Sequence, residues 1–226
     1  MFPIDVFTRS PLLASLPPGS LTILAGTARR RSYRRGEVIF HQGDPGDALH
    51  FLTHGRVKVV LDAETGEEAV IAILGPGDCF GELALIDGEP RSATVMTLEP
   101  VQTVSLFRSD FMTFIRDNVQ VAERLMVALA GTIRRADESM ADLVFLDLQG
   151  RLAKKLLELA DAHGHDINGA VEIELPLTQE DLAAMIGATR ASVNKLLGFW
   201  EERGAIQRRG RHIAILNQEL LRRRST

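Results

Sequence analysis

Residues 79–95, CFGELALIDGEPRSATV, place an acid, an arginine and a hydroxyl in one short apolar stretch. Gly81 permits a tight backbone turn after strand-like residues, and Glu82 then opens a short helix whose free N–H groups point outward. Such a helix end attracts a phosphate, and Arg91 can return a planar fork of donors to the same place after the DGEP turn. Ser92 can add a hydroxyl. The pattern therefore predicts a phosphate-binding loop.

The carboxylate of Glu82 would repel a phosphate at that helix end, so it has to face another part of the ligand. An ionised carboxylate accepts hydrogen bonds, and a ribose hydroxyl is a suitable donor to it. A sugar joined to a phosphate satisfies both Glu82 and Arg91. An isolated Glu or Arg is usually solvated surface, and it is the combination with the glycine turn that favours a ligand site.

The C-terminal end of the chain carries the charge expected of a nucleic-acid contact. Residues 187–226 hold nine Lys and Arg against three Asp and Glu, whereas residues 1–186 hold 17 against 27. A positive terminus on an acidic body suits binding to an anion such as DNA. The alternative is a solvated charged tail, as in residues 222–224.

Short strands have to position the phosphate-binding loop. Over residues 33–106 glycine turns recur between strand-like runs, and SATVMTL and PVQTVSLF alternate as half-buried strands do. Residues 57–61 and 70–74 predict a hairpin joined by a polar loop that carries Gly66. We therefore predict an α+β chain whose N-terminal part is an antiparallel β-barrel or jelly roll.

A heptad pattern follows the strands. Its apolar positions, separated by steps of three and four, are Met126, Leu129, Ile133, Ala136, Met140 and Leu143. We call these six residues the seam. A narrow seam more often packs against another helix than against its own barrel, so we predict a long helix and a parallel homodimer. Packing of the seam against the chain's own barrel is the alternative.

The last region has the features of a winged helix-turn-helix. They are, in order, a helix ending near Gly164, a loop to Pro176, an N-cap at Thr178, a glycine break at Gly187, a second helix opening at Thr189, a turn at Gly204 and a basic hairpin over residues 206–216. The second helix would be the one that reads DNA.

Length and composition fit two modules in an ordinary soluble protein, with 226 residues, 45% of them apolar. No apolar run approaches the roughly 20 residues that span a bilayer, and MFPIDVFTRS lacks a secretory signal, so we expect a cytoplasmic location. We assign residues 1–118 to a sensor domain, 119–146 to a dimerisation helix and 147–226 to a DNA-binding domain.

FGELALIDGEPRSATV is similar, nearly residue for residue, to the phosphate-binding cassette of cyclic-nucleotide-binding domains. Almost the whole chain, from the barrel through the seam and VFLDLQGRLAKKLLELA to the winged helix, resembles the CRP/FNR family of bacterial transcription regulators. The resemblance implies a homodimer that binds double-stranded DNA under the control of a cyclic nucleotide, cAMP first and cGMP second. It further implies RNA polymerase as a partner, no covalent cofactor and no membrane contact.

The resemblance also implies roles for individual residues. In family members that bind cAMP, the long helix supplies a Thr-Ser pair to the adenine, and this chain has Ala136 and Asp137 there. The implied ligand-binding residues are Gly81, Glu82, Leu83, Ala84, Arg91, Ser92, Ala136 and Asp137. Because Asp137 departs from the family pattern, the identity of the base stays open.

For DNA, the resemblance implies base reading at the start of the second helix. Arg190 can bond a guanine bidentately in the major groove, whereas Ala191 replaces a glutamate that many members direct at cytosine. The implied DNA-binding residues are Thr178, Thr189, Arg190, Ala191, Ser192 and Lys195. A winged helix used only for protein contact would leave the basic terminus unexplained.

The family also contains redox, haem and metabolite sensors, so a sensor of another ligand, or a regulator without one, is an alternative. A single cysteine cannot hold an iron-sulfur cluster. The axial ligand of a haem could be Cys79, His41, His50 or His54.

An enzyme is the alternative from a different class, either a cyclic-nucleotide hydrolase or a metal-dependent hydrolase. His163 and His165 lie within DAHGHD and could ligate zinc, but no third and fourth ligands cluster around them. No nucleophile and base pair is apparent. We therefore expect neither a catalytic nor a metal site.

Overall fold

The computed structural model describes residues 5–14, 16–167, 169–210 and 212–225. Residues 1–4, the start of the MFPIDVFTRS segment, lie outside these ranges. So does Arg211 of the predicted basic hairpin. The chain forms two compact units, Met1–Ile133 and Arg134–Thr226, and the boundary falls within one long helix. No helix of the described ranges is long and apolar enough to cross a membrane.

Strands dominate the N-terminal unit. Its elements are α1 (Asp5–Thr8), α2 (Pro18–Thr27), β1 (Arg29–Tyr33), β2 (Val38–Phe40), β3 (Ala48–His54), β4 (Val57–Asp62), β5 (Glu68–Leu74), β6 (Cys79–Phe80), α3 (Glu82–Asp87), β7 (Thr94–Thr97), β8 (Val101–Phe107), α4 (Arg108–Asp117) and the beginning of α5 (Val119–Phe145).

These strands form two antiparallel four-stranded sheets, in the orders β1-β8-β3-β6 and β2-β7-β4-β5. The predicted hairpin is β4 and β5, with Val60 opposite Val70. One apolar core takes side chains from both sheets, including Leu52 of β3 and Val57 of β4. Because the two antiparallel sheets bury their inner faces against each other, the predicted antiparallel barrel or jelly roll is confirmed.

A second core joins the barrel to the helices around it. The ring of Phe7 meets that of Phe51 edge-on, with 5.5 Å between the centroids. Val121 and Leu125 of α5 are buried in this core, and Leu129 packs against it. The first turns of α5 are therefore fixed to the sensor unit.

The rest of the seam is exposed to solvent. Met126, Ile133, Met140 and Leu143 are 55–63% exposed, and Ala136 is exposed as well. Only Leu129 of the seam packs on the barrel side. Within the N-terminal unit, the barrel therefore leaves Met126 and Ile133 of the seam uncovered. An apolar stripe of this kind in water is typical of an interaction surface.

The C-terminal unit combines helices with a third sheet. After the end of α5, its elements are α6 (Leu148–His163), β9 (Gly164–Ile167), β10 (Ala170–Ile173), α7 (Gln179–Ile186), α8 (Arg190–Glu202), β11 (Ile206–Arg209), β12 (His212–Ile215) and α9 (Gln218–Arg222). The sheet has the strand order β11-β12-β10-β9.

The predicted loop from Gly164 to Pro176 is wrong, because that segment contains the strands β9 and β10. Each has four residues, too few for a clear alternation of apolar and polar side chains. β10 also pairs with β12 from the far end of the domain, with Val171 opposite Ile215. A pairing between such distant segments leaves no local signal in the sequence.

The predicted helix-turn-helix is confirmed, with its caps. Thr178 and Asp181 form a capping box at the start of α7, and Gly187 ends that helix with φ 63°, in the left-handed region. The Thr189 side chain caps α8 by accepting from the backbone amide of Ser192 at 3.2 Å. β11 and β12 form the wing.

Candidate nucleotide and DNA sites

The phosphate-binding cassette folds around Gly81. This residue has φ 85° and precedes the first turn of α3, as the sequence predicts. A Cβ on Gly81 would lie 2.4 Å from Nη1 of Arg91, and a Cβ on Gly46 would lie 2.3 Å from the Cβ of Ala84. Both positions therefore need glycine for space, and three separate segments of the chain meet here.

Arg91 lies at the centre of this meeting point and is only 5% exposed. Its Nη1 donates to the carbonyl of Gly81 at 2.8 Å, and its Nη2 donates to the carbonyl of Ala48 at 2.8 Å. The guanidinium lies 4.1 Å from the centroid of the Phe40 ring, a cation–π contact. These contacts fix the orientation of the guanidinium plane.

The guanidinium still has donors for a ligand. It carries more N–H groups than the two carbonyl contacts use. Within the part of the chain that the structure describes, the buried Nε of Arg91 has no hydrogen-bond partner. A buried donor without a partner is costly, and an anion can satisfy it.

The electrostatics of the cassette combine a buried cation with a carboxylate. Burial lowers the pKa of Arg91, and the carboxylates of Asp47, Glu82 and Asp44 oppose that effect. Burial raises the pKa of Glu82, against its own backbone amide and the charge of Arg91. The site can therefore hold a negative group at Arg91 and a hydroxyl donor at Glu82.

The other predicted ligand residues differ in what they can offer. Ala84 is buried, so only its backbone can face a ligand, whereas Leu83 and Ser92 are exposed. Ala136 and Asp137 are exposed on α5 and belong to the C-terminal unit.

Sequence reasoning missed the groups that hold Arg91 in place, namely Phe40 and the carbonyl of Ala48. The glycine turns predicted over residues 33–106 include the one at Gly46, which packs against the cassette. Nothing local marks Phe40, whose role depends on the meeting of distant strands. His50 was considered only as a haem ligand. It stacks on Phe80 with centroids 5.1 Å apart and an interplanar angle of 6°.

The buried imidazole of His50 should make the stability of the fold depend on pH. Burial, and then the charges of Arg91 and Arg31, lower the pKa of His50 to about 4. The unfolded chain therefore binds more protons than the folded one between this value and the ordinary pKa of 6.5. Stability should fall by about 3 kcal/mol as the pH drops through that window.

Urea unfolding at several pH values measures this effect. His50→Gln should flatten the acid slope between about pH 6.5 and 4, because glutamine does not titrate. His54→Gln, at an exposed position of the same strand, is the matched control and should keep the slope. An identical slope in wild type and His50→Gln would remove His50 as its source.

Three of the residues that the sequence offers as haem or zinc ligands are wholly or partly buried or contact other polar side chains in the structure. Burial raises the pKa of Cys79 to about 12, which disfavours the thiolate that a metal needs. Nδ1 of His50 lies 3.5 Å from the hydroxyl of Thr103, and His165 lies 3.6 Å from Glu174. Among the described residues, no three His, Cys, Asp or Glu side chains are grouped as a metal would require.

The DNA-facing candidates lie on the solvent side of α8. Arg190, Ala191 and Lys195 are exposed, whereas Val193 and Leu197 face the core. This is the division of faces that a recognition helix needs.

The two threonines predicted to contact DNA also act as helix caps. The hydroxyl of Thr178 donates to Asp181 Oδ2 at 2.7 Å and accepts from the Asp181 amide at 3.1 Å. A phosphate contact from Thr178 would therefore compete with the cap. The hydroxyl of Thr189 lies 2.9 Å from that of Ser192.

Part of the basic terminus is paired within the chain. Arg208 lies 2.8 Å from Glu201, Arg209 lies 3.2 Å from Glu172, and Arg224 lies 2.6 Å from Asp147. Over the described ranges no ion pair is found for Arg190 or Lys195, both on α8. The side chains of Arg190 and Lys195 are thus two charges of α8 that are available to DNA.

Two family models match this chain. Residues 30–118 match the cyclic nucleotide-binding domain, and residues 150–224 match the Crp-like helix-turn-helix domain. Together with the fold, they define a DNA-binding transcription regulator that carries a cyclic nucleotide-binding domain, and not an enzyme. The chain belongs to the CRP/FNR family.

Comparison with individual proteins supports this assignment over nearly the full length. The chain is 35% identical to the CRP-like cAMP-activated global transcriptional regulator of Mycobacterium tuberculosis, over 98% of this chain and 99% of the relative. It is 33% identical to the cyclic AMP receptor protein of Thermus thermophilus, over 88% of each. FixK2 from Bradyrhizobium japonicum is a structural neighbour with TM-score 0.79 and 25% identity, over 88% of this chain and 98% of that one.

Proposed function

We propose that the chain is a homodimer whose affinity for operator DNA is controlled by a non-covalently bound cyclic nucleotide, cAMP first and cGMP second. The observation that carries the proposal is Arg91, a buried guanidinium held by two carbonyls with Nε left for an anion. The named relatives from M. tuberculosis and T. thermophilus support cAMP as the first choice. Such a regulator acts in the cytoplasm, with RNA polymerase as a further partner.

In the proposed complex each group of the cassette has one task. Arg91 donates to the cyclic phosphate, assisted by the Ser92 hydroxyl and the backbone amides that open α3. The Glu82 carboxylate accepts from the ribose hydroxyl. Gly81 and Ala84 provide close backbone approach, and Leu83 provides an apolar contact.

The proposed link to DNA runs through α5. This helix starts inside the sensor core and continues with the exposed residues of the seam. Two chains that cover each other's seam would place their recognition helices on successive major grooves, about 34 Å apart. A nucleotide that favours one arrangement of the two helices then favours DNA binding.

A calorimetric titration with cAMP, cGMP and a cyclic dinucleotide tests the ligand. Saturable binding of cAMP at one molecule per chain is the expected result. Binding of the dinucleotide alone would overturn the effector assignment, and binding of none would overturn the ligand-controlled function.

Arg190 is proposed to read a base. Arg190→Ala should raise the dissociation constant for the preferred operator, since a bidentate contact contributes about 1 to 3 kcal/mol of discrimination. Preference should relax at one position of each half-site. Binding to a set of singly substituted operators measures this, and Arg203→Ala, at the C-cap of α8, is the control. Equal loss on every sequence would make Arg190 a phosphate contact.

Asp137 is proposed to modify base preference. An ionised carboxylate is only an acceptor, so it can take one bond from the amino group of adenine or two from the ring and amino donors of guanine. Asp137→Ser should therefore shift the ratio of cAMP to cGMP affinity in favour of cAMP. Titration of both nucleotides against both proteins measures the ratio. An unchanged ratio would show that Asp137 does not read the base.

A further inference from the structure

Asn194 is an exposed polar residue of α8 that the proposed function does not use. Asn194 lies one helical turn after Arg190 and directly before Lys195, and it is exposed as they are. Residues four apart share a helix face. Asn194 therefore lies among the residues proposed to read bases.

A side-chain network anchors Arg208 of the wing. Its backbone amide donates to Glu201 Oε1 at 2.9 Å, and its Nε donates to Glu201 Oε2 at 2.9 Å. Its Nη2 lies 2.8 Å from the same carboxylate. The hydrogen bonds from Arg208 lower the pKa of Glu201. Because Glu201 holds the backbone amide, Nε and Nη2 of Arg208, the Nη1 of Arg208 is directed at Asn194.

This network sets the orientation of the Asn194 amide. Nη1 of Arg208 donates to Asn194 Oδ1 at 2.9 Å, and Nε2 of Gln179 donates to the same oxygen at 3.3 Å. Arginine has only donors, so the atom that faces it has to be the oxygen of the amide. The two contacts occupy both lone pairs of Oδ1 and leave the amide nitrogen for other partners.

We propose that Asn194 is a further DNA-reading residue, restricted by Arg208 to donating hydrogen bonds to a base edge. A free asparagine reads adenine bidentately, because its oxygen accepts from N6 and its nitrogen donates to N7. With Oδ1 already used, Asn194 can only donate. It then favours bases that present acceptors without needing one in return, which are guanine, through O6 and N7, and thymine, through O4. Arg208 is the positioning residue.

The test rests on the proposed DNA binding and uses a duplex that the wild-type protein selects from a random-sequence library in the presence of cAMP. All single-base variants of that duplex are then compared. Asn194→Ala should flatten the preference at one position of each half-site, by about fivefold, as for loss of one hydrogen bond. Arg208→Met should free one lone pair of Oδ1 while Gln179 keeps the other, so that Oδ1 can accept from N6 and adenine becomes accepted at that same position.

Arg209→Met is the matched control, since Arg209 lies on the same strand but pairs with Glu172. It should leave the preference at that position unchanged. If Asn194→Ala weakens all duplexes equally, Asn194 is a phosphate contact and base reading is overturned. If Arg208→Met leaves adenine rejected, the positioning role is overturned. Failure of the wild type to select any sequence would instead contradict the proposed function.

Discussion

Replacing Arg91 with lysine should weaken cAMP binding by about 100-fold or more, because several charge-assisted hydrogen bonds to one phosphate are lost together. Lysine keeps the positive charge but not the planar fork that contacts Gly81 and Ala48 and that we propose to contact the ligand. Calorimetry with cAMP gives the affinity. Circular dichroism and the melting temperature report whether the fold is retained.

Two further variants test the assignment of Arg91 to the phosphate. Arg91→Leu should lose binding completely and also lower the melting temperature, because two backbone carbonyls lose their donor. Arg56→Lys is the matched control, since Arg56 is half-buried in an ion pair with Glu99 of the same unit. It should bind cAMP as the wild type does. Normal affinity in a folded Arg91→Leu would place the phosphate elsewhere.

A charge in the seam should break the proposed homodimer. Met140→Glu would bring two carboxylates together in the apolar interface between the helices, where an unpaired buried charge costs about 3 to 5 kcal/mol. The dissociation constant of the dimer should rise by more than about 100-fold, and operator affinity should fall because one half-site alone remains bound. Analytical ultracentrifugation and operator titration measure the two effects.

Val127→Glu is the control for this experiment. Val127 is 74% exposed on the same helix and is not one of the six seam positions, so the same substitution there should leave the dimer intact. A Met140→Glu protein that is still dimeric, or equal dissociation by both variants, would show that the seam is not the interface.

The features that the sequence predicted well are set by local chemistry. Gly81 and Gly187 adopt left-handed backbone that glycine tolerates best, and Thr178 and Thr189 cap the helices that follow them. The β4–β5 hairpin is likewise a contact between neighbours in the chain. Each of these could be read within a short window of residues.

The features that were missed depend on contacts between distant segments. The carbonyl of Ala48 that holds Arg91 lies 43 residues away in the chain, and the Arg208 to Asn194 contact spans 14 residues from wing to helix. The β9–β10 hairpin is stabilised by pairing with β12. Sequence patterns therefore predicted candidate residues for both sites, whereas the partners that orient Arg91 and Asn194 required the fold.

Operator binding measured with and without cyclic nucleotide tests the proposed function most directly. A fluorescent duplex selected by the protein is titrated with the dimer in the absence and presence of saturating cAMP. We expect cAMP to raise the affinity by about 5- to 150-fold, the usual range of coupling between two sites, and Arg91→Lys to abolish that increase. Equal operator affinity with and without cAMP and cGMP, in a protein that binds DNA specifically, would contradict control by a cyclic nucleotide.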